Sequence, residues 1–258
     1  MSAEAGVLAS ATPASRRVSG LLVASRADLA LALTVVAWVG VVLPLDNAGS
    51  ARELALGGVT WALLLTLLRR ESATTRAQVA VVVAFATLIE YTFSALLGVY
   101  VYRLHQVPAY VPPGHGLVYL AALAIGRSAV VTAYRRELLT ATLVIAGGYA
   151  TWGLLVSGRP DLLGFLWFCC LVVWVRRARV PMVFVGAFLV VTYLELLGTA
   201  LGTWTWSLHD PTGLVAIGNP PSGAAGGYGF FDAAALAFAP RIVRGLSRRT
   251  HKGKSGVV

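Results

Sequence analysis

The chain has 258 residues, of which 57% are hydrophobic and only 12% are charged, and its formal net charge is +10 at pH 7. This composition excludes an ordinary soluble domain, which would expose far more Lys, Glu and Asp. It does not indicate a nucleic-acid-binding protein either, because the basic residues are divided among the ends of apolar segments instead of forming one patch.

Eight apolar stretches are candidates for membrane-spanning helices. A run of about 18 or more apolar residues predicts a transmembrane helix, whereas a shorter one is also typical of a re-entrant or buried segment. Only helices and closed barrels satisfy their backbone hydrogen bonds in hydrocarbon, and these runs are continuous, so we predict an all-α bundle. The stretches are 27–45, 54–68, 79–101, 116–134, 138–156, 162–175, 183–201 and 224–243. The sixth is short enough for the re-entrant alternative.

The distribution of arginines predicts the orientation of these helices. If the N-terminus lies inside, the arginine pairs that begin at Arg69, Arg135 and Arg176 all fall on the inner side, while the outer loops hold single arginines. This alternation follows the positive-inside rule. We therefore expect a multi-pass protein of the cell membrane with both termini in the cytoplasm. Residues 1–26 would form a disordered leader, and the basic tail 244–258 would contact anionic membrane lipid.

Two segments share an ordered pattern that predicts an internal duplication. Residues 90–105 and 195–209 each begin with Glu, reach Gly seven or eight positions later, and continue as Gly-x-aromatic-x-aromatic-x-Leu-His. A proline pair follows both copies. The copies lie four predicted spans apart, so both halves would point the same way through the membrane. We predict two parallel four-helix repeats, 27–136 and 137–243, although aromatic residues and prolines are also common at membrane interfaces.

The carboxylates of the two copies, Glu90 and Glu195, are the first candidates for chemistry. Each lies well inside an apolar run, where ionised groups are unfavourable and usually face a bundle interior or a watery cavity. A matched pair predicts catalysis by proton transfer. The alternative for each is a protonated side chain that makes one interhelical hydrogen bond. Gly198 and Gly202 follow Glu195 at near-helical spacing and would leave room for a ligand.

The predicted outer loops 103–115 and 207–223 supply further candidates and are expected to fold back over the outer mouth. His105 and His209 would act with the glutamates as acid–base groups. Contacts to substrate are expected from Tyr100, Tyr102, His115, Trp204, Trp206 and Asn219. The histidine spacing matches no zinc signature, so we expect neither a metal nor another cofactor. Solvated loop histidines and interfacial aromatic residues without a function remain the alternative.

Two other charges lie within predicted spans, Arg127 in the fourth and Asp232 in the eighth. A buried charge of either sign needs a partner. We predict that Arg127 pairs with Asp232 or with one of the glutamates, either as part of the catalytic site or as an ion pair that holds the two halves together.

A string of small and aromatic residues surrounds the second carboxylate. It comprises Glu195, Gly198, Gly202, Trp204, Trp206, Gly218 and Pro220. The string looks like a segment of polytopic carotenoid hydratases and cyclases, and it covers less than a tenth of the chain. This resemblance implies acid–base chemistry on isoprenoid chains within the membrane.

Three functions from different classes stay open. The first is a membrane enzyme that acts on a lipid or isoprenoid-type substrate through a polar site opening to the outer face. The second is a small proton-coupled secondary transporter whose halves rock about the repeat axis. The third is a non-catalytic membrane assembly factor. The crowding of motifs on one side, with no span clearly broken at mid-depth, favours the enzyme.

Overall fold

The computed structural model describes residues 13–47 and 49–254. These residues are mostly helical. In chain order they form α1 (Pro13–Leu45), α2 (Ser50–Leu68), α3 (Ala73–Glu90), a π-helical turn (Tyr91–Leu96), β1 (Tyr100–Tyr102), α4 (Val111–Arg127), α5 (Ala129–Ala133), α6 (Arg135–Leu155), α7 (Leu162–Arg177), α8 (Pro181–Ala200), β2 (Trp204–Trp206) and α9 (Ala224–Lys254).

Five helices of the described chain are long and apolar enough to cross a membrane. A helix of about 20 residues matches the roughly 30 Å thickness of the hydrocarbon core. The five correspond to the predicted first, second, third, fifth and seventh spans, and they are Ala24–Leu45, Ser50–Leu68, Ala73–Leu96, Arg135–Leu155 and Pro181–Ala200. The predicted all-α membrane protein therefore agrees with the structure at this level.

The other three predicted spans fall on α4, α7 and α9. Helices α4 and α7 have 17 and 16 residues, and α9 carries charged side chains along its length. The bounds predicted for the fourth span, 116–134, are wrong. Helix α4 begins at Val111 and ends at Arg127, because Ser128 adopts an extended backbone with ψ 125° before the short helix α5.

Helices α4 and α8 form the centre of the bundle. Residues 117–122 of α4 are all buried, which is typical of a helix that is apolar on every side and enclosed by other helices. Glycine permits the close contact between the two helices. A Cβ atom at Gly186 of α8 would lie 2.5 Å from the carbonyl oxygen of Ala122. Likewise, Gly226 lets α9 lie directly against the backbone of α7.

One end of the bundle is closed by an ion-pair network around Arg127, and we call it the arginine end. Nε of Arg127 donates to Asp28 at 2.7 Å, and its two terminal nitrogens donate to both carboxylate oxygens of Glu71 at 2.6 and 2.8 Å. The predicted pair between Arg127 and Asp232 is therefore wrong. Because α4 stops at Arg127, its guanidinium reaches the helix ends and not the interior, where Asp232 is buried.

The opposite end carries the two strands, and we call it the sheet end. Glu71 lies just before α3, and β1 follows the end of α3, so α3 runs from the arginine end to the sheet end. Strands β1 and β2 pair as a two-stranded antiparallel sheet.

One of the two terminal segments differs from the sequence prediction where the structure describes it. Helix α1 already begins at Pro13, within the segment 1–26 that was expected to be a disordered leader. Helix α9 continues through most of the predicted tail 244–258 and ends at Lys254. The remaining residues of both segments, 1–12 and 255–258, lie outside the described part of the chain.

Candidate active site

Each candidate carboxylate lies on a helix that ends in the same kind of turn. Glu90 is the last residue of α3, and Glu195 lies one turn and a half before the end of α8. Gly98 and Gly202 follow with φ values of +62° and +65°. Only glycine adopts this left-handed conformation without strain, so it allows the chain to reverse above the helix end.

The strand that follows the first turn directs two tyrosines at Glu90. Side chains two residues apart point to the same face of a strand, and both hydroxyl groups of Tyr100 and Tyr102 donate to Oε2 of Glu90 at 2.8 Å. The prediction that a helix extends over 79–101, and so includes Tyr100, is wrong, because the helical part ends at Leu96. In a helix, residues two positions apart point about 200° apart, and they do not converge on one carboxylate.

The second copy repeats this arrangement with tryptophan. The indole nitrogens of Trp204 and Trp206 donate to Oε2 of Glu195 at 3.1 and 3.2 Å. Gly198 leaves room for the ring of Trp204, because a Cβ atom at this position would collide with it. The sequence pattern identified these residues, but the helical spacing we assumed does not extend past Ala200.

The two copies meet in the sheet with a symmetric register. The partners are Tyr100 with Trp206, Val101 with Thr205, and Tyr102 with Trp204. Two flanking bonds match as well, since Arg103 N donates to Thr203 O and Ser207 N donates to Val99 O, at 3.0 and 2.9 Å. A local two-fold axis between Val101 and Thr205 relates these hydrogen bonds.

His115 joins the first carboxylate from a different element. It was predicted to lie in an outer loop, but Pro112 and Pro113 occupy the first turn of α4, where proline is well accommodated, and His115 is buried on that helix. Its Nε2 lies 2.8 Å from Oε1 of Glu90. The imidazole stacks on the ring of Tyr228 at a centroid distance of 5.3 Å.

Three other predicted site residues lie away from the carboxylates. His105 and His209 are exposed in the turns after β1 and β2, and neither contributes to the cavity that contains Glu90 and Glu195. Asn219 has a backbone contact, since its side-chain oxygen accepts from Trp206 N at 3.0 Å. The structure therefore does not bring the two loop histidines to the glutamates.

A single apolar cavity of about 530 Å³ contains both carboxylates. Its wall combines Glu90, His115 and Glu195 with aromatic and aliphatic side chains of α1, α3, α4, α7, α8 and α9. In the part of the chain that the structure describes, no Lys or Arg forms an ion pair with either carboxylate. Both are held by neutral donors, apart from any charge on His115.

The loop that covers the sheet end is fastened by two residues that the sequence analysis missed. Oδ1 of Asp161 accepts from the backbone nitrogens of Gly164 and Gly218, and Oδ2 accepts from the nitrogen and hydroxyl of Ser222. Arg159 donates to three carbonyl oxygens of the same region. The helix-capping position of Asp161 before α7 was the available signal.

A further acidic side chain lies at the sheet end beside the cavity. Asp46 follows α1 and is buried, and its Oδ2 accepts from the hydroxyl of Tyr110, which lines the cavity, at 2.8 Å. Burial raises the pKa of Asp46, and the hydrogen bond from Tyr110 partly offsets this effect.

Asp232 lies within α9 outside the wall of this cavity. It is buried, and its Oδ2 has no hydrogen-bond partner among the described residues. The hydroxyl of Tyr119 on α4 is also buried without a partner there. These two groups contrast with Glu90, whose oxygens are both bonded.

The chain matches no family model, no curated protein and no solved structure. The functional argument therefore rests on the residues and geometry described above.

Proposed function

We propose that this chain is a membrane enzyme that acts on a lipid or isoprenoid-type substrate by acid–base chemistry. One observation carries the proposal. Two buried carboxylates, Glu90 and Glu195, form part of the wall of one apolar cavity and are held by neutral hydrogen-bond donors. Intramembrane ionisable groups without a structural counter-ion are typical of functional sites.

The lining of the cavity favours a hydrocarbon over a charged head group. A volume of about 530 Å³ lies within the range of small-molecule sites, which are roughly 300 to 1,000 Å³. Trp38, Leu117, Trp167 and Phe231 illustrate the apolar character of the wall. A phosphate or carboxylate group would meet the carboxylates there, and none of the described lysines and arginines lines the cavity to bind it.

Exposed apolar side chains on one side of the cavity favour entry of the substrate from the membrane. Phe93 and Leu97, in and just after the π-helical turn, line the cavity and are 37% and 43% exposed, while Phe230 on α9 is 48% exposed. Exposed apolar side chains on spanning helices face lipid. A long apolar substrate would pass between these side chains without crossing water.

The proposed topology places the sheet end on the outer face of the cell membrane and both termini in the cytoplasm. The clustering of arginines away from the sheet end supports it. The proposed eight spans form two parallel repeats, 27–136 and 137–243. Two matched features support the duplication, namely the paired left-handed glycines and the symmetric hydrogen bonds of the sheet.

Lipid analysis of a strain that lacks the gene tests the proposed enzyme. We expect an unprocessed apolar lipid to accumulate, and we expect the wild-type gene to restore its conversion. Glu90→Gln and Glu195→Gln, expressed at wild-type level, should not restore it. A lipid profile that is unchanged by the deletion would contradict the proposal.

A proton-coupled transporter is the second candidate, and Asp232 is the observation that favours it. This buried carboxyl without a described partner lies on α9, which contributes Tyr228 and Phe231 to the cavity. Uptake driven by a proton gradient in proteoliposomes, and its loss in Asp232→Asn, would favour transport. If Glu90→Gln and Glu195→Gln both keep the cellular function, the non-catalytic assembly factor is the better description.

A further inference from the structure

We infer that the two carboxylates have different roles, with Glu195 as the proton donor to the substrate and Glu90, joined to His115, as the proton acceptor. The inference rests on the proposed enzymatic function and deepens it. The helix, turn and strand are repeated around the two glutamates, but the chemistry of the surrounding donors is not.

Both oxygens of Glu90 are engaged in hydrogen bonds. Oε2 accepts two tyrosine hydroxyl groups and Oε1 is bonded to Nε2 of His115, all at 2.8 Å. Glu90 is therefore in contact with three side chains that can hold or exchange a proton.

Glu195 has one oxygen that is free to carry a proton. Its Oε2 accepts from two indole nitrogens at 3.1 and 3.2 Å, whereas Oε1 accepts no hydrogen bond from any residue that the structure describes. Glu195 also forms part of the cavity wall. A proton on Oε1 therefore faces the space that a substrate would occupy.

The partners of the two carboxylates differ in whether they can move a proton. An indole N–H is a donor only, so Trp204 and Trp206 cannot take a proton from Glu195. Imidazole both accepts and donates, so a proton that reaches Glu90 has an exit through His115. The Glu195 proton faces the cavity, whereas a proton on Glu90 can pass to His115.

The chemical step follows from this division. Glu195 gives its Oε1 proton to one carbon of a substrate double bond, whose electron pair forms the new C–H bond and leaves a carbocation on the other carbon. Aromatic faces in the wall stabilise such a cation. A neighbouring C–H bond then breaks, its electron pair forms a new double bond, and the proton passes to the Glu90–His115 pair. Substrate and product are isomers, and the proton returns to Glu195 through solvent between turnovers.

Infrared spectroscopy tests the assignment without a substrate. The probe is the purified full-length protein in lipid nanodiscs, with ¹³C-labelled glutamate, so that aspartate bands do not overlap. At neutral pH we expect a protonated glutamic acid band that Glu195→Gln abolishes and Glu90→Gln retains. The matched controls are Glu137→Gln on the exposed start of α6 and Glu53→Gln at the sheet end. Loss of the band in Glu90→Gln only, or its absence from the wild type, would overturn the inference.

A second set of variants keeps both glutamates and so avoids the risk of misfolding. Trp206→Phe removes one hydrogen bond from Glu195, so it should shift the frequency of the protonated band. Tyr102→Phe removes a hydrogen bond from Glu90 and should leave that band in place. The reverse pattern would overturn the inference. Because these spectra need no turnover, a negative lipid analysis would contradict the proposed function alone.

Discussion

The two ends of the bundle use their charged side chains in opposite ways. At the arginine end, Arg127 forms ion pairs with Glu71 and Asp28, which are only 7% and 15% exposed. At the sheet end, Glu90 and Glu195 are buried in an apolar wall with neutral donors around them.

Under the proposed function, this contrast distinguishes a structural network from a catalytic site. A carboxylate that is paired with a guanidinium is held in its ionised form and is poorly suited to proton transfer. Removing the guanidinium destabilises the folded protein. The carboxylates held by hydroxyl, indole and imidazole groups have no guanidinium or ammonium partner among the described residues. The comparison therefore predicts that changes at the sheet end affect activity, and that changes at the arginine end affect stability.

The largest expected effect is the loss of activity in Glu90→Gln and Glu195→Gln. Removing a general acid or base lowers the rate by about 100 to 10,000-fold. Glutamine keeps the shape and accepts a hydrogen bond, so thermal unfolding should change little. Conversion of the accumulated lipid in the complemented strain measures activity, and Glu137→Gln is the exposed control. Full activity in both variants would remove the contrast between the two ends.

Arg127→Met should have the opposite signature. It leaves two largely buried carboxylates without their partner, and we expect a loss of about 1 to 3 kcal/mol in the free energy of unfolding. Titration of the purified protein with SDS in mixed micelles measures this loss, and Arg135→Met on the exposed start of α6 is the control. The combined variant with Glu71→Gln and Asp28→Asn should recover part of the stability. A folded Arg127→Met protein that has lost activity would contradict the expectation that changes at the arginine end affect stability and not activity.

Gly198→Ala tests the contribution of a single hydrogen bond at the sheet end, the one from Trp204 to Glu195. The added methyl group collides with the ring of Trp204 and displaces its nitrogen from Glu195. Loss of one such hydrogen bond corresponds to roughly a tenfold decrease in activity. Gly148→Ala on α6 is the matched control, because nothing lies within 4 Å of a Cβ atom there. Equal activity of the two variants would argue against a role for the Trp204 contact.

The smallest effect is a pH dependence of stability at the sheet end. Burial raises the pKa of Asp46 above its ordinary value of 3.8, so the wild type loses stability relative to Asp46→Asn as the pH rises through and above that value. The unfolding temperature of the wild type minus that of Asp46→Asn should therefore be highest below pH 3.8 and fall toward neutral pH.

Asp210→Asn provides a control of opposite sign. The hydroxyl of Thr212 donates to Asp210 and lowers the pKa of this exposed carboxyl. The wild type should then gain stability relative to Asp210→Asn as the pH rises, and lose it as the pH falls. An identical pH trend in both variants would show that neither carboxyl is responsible.

Long apolar runs were sufficient to predict the five helices that are long and apolar enough to cross a membrane, because hydrocarbon leaves the backbone few alternatives. The matched Glu-to-aromatic pattern was sufficient to identify Glu90 and Glu195 with their aromatic neighbours. His115 was misplaced in a loop, because a proline pair is equally typical of a turn and of the first turn of a helix. Arg127 was assigned the wrong partner, because a shift of a few residues in the end of α4 decides whether its side chain reaches the interior.

By itself, the sequence determined that this protein is built from apolar helices and that two carboxylates share a repeated pattern. Both are local properties, read from hydropathy and spacing along the chain. The tertiary structure alone decided that two three-residue strands pair, that His115 reaches Glu90, and that both carboxylates face one cavity. These outcomes depend on where each helix ends and on the direction in which the chain then turns. Backbone hydrogen bonds and long-range packing together decide both, so no single segment of the sequence determines them.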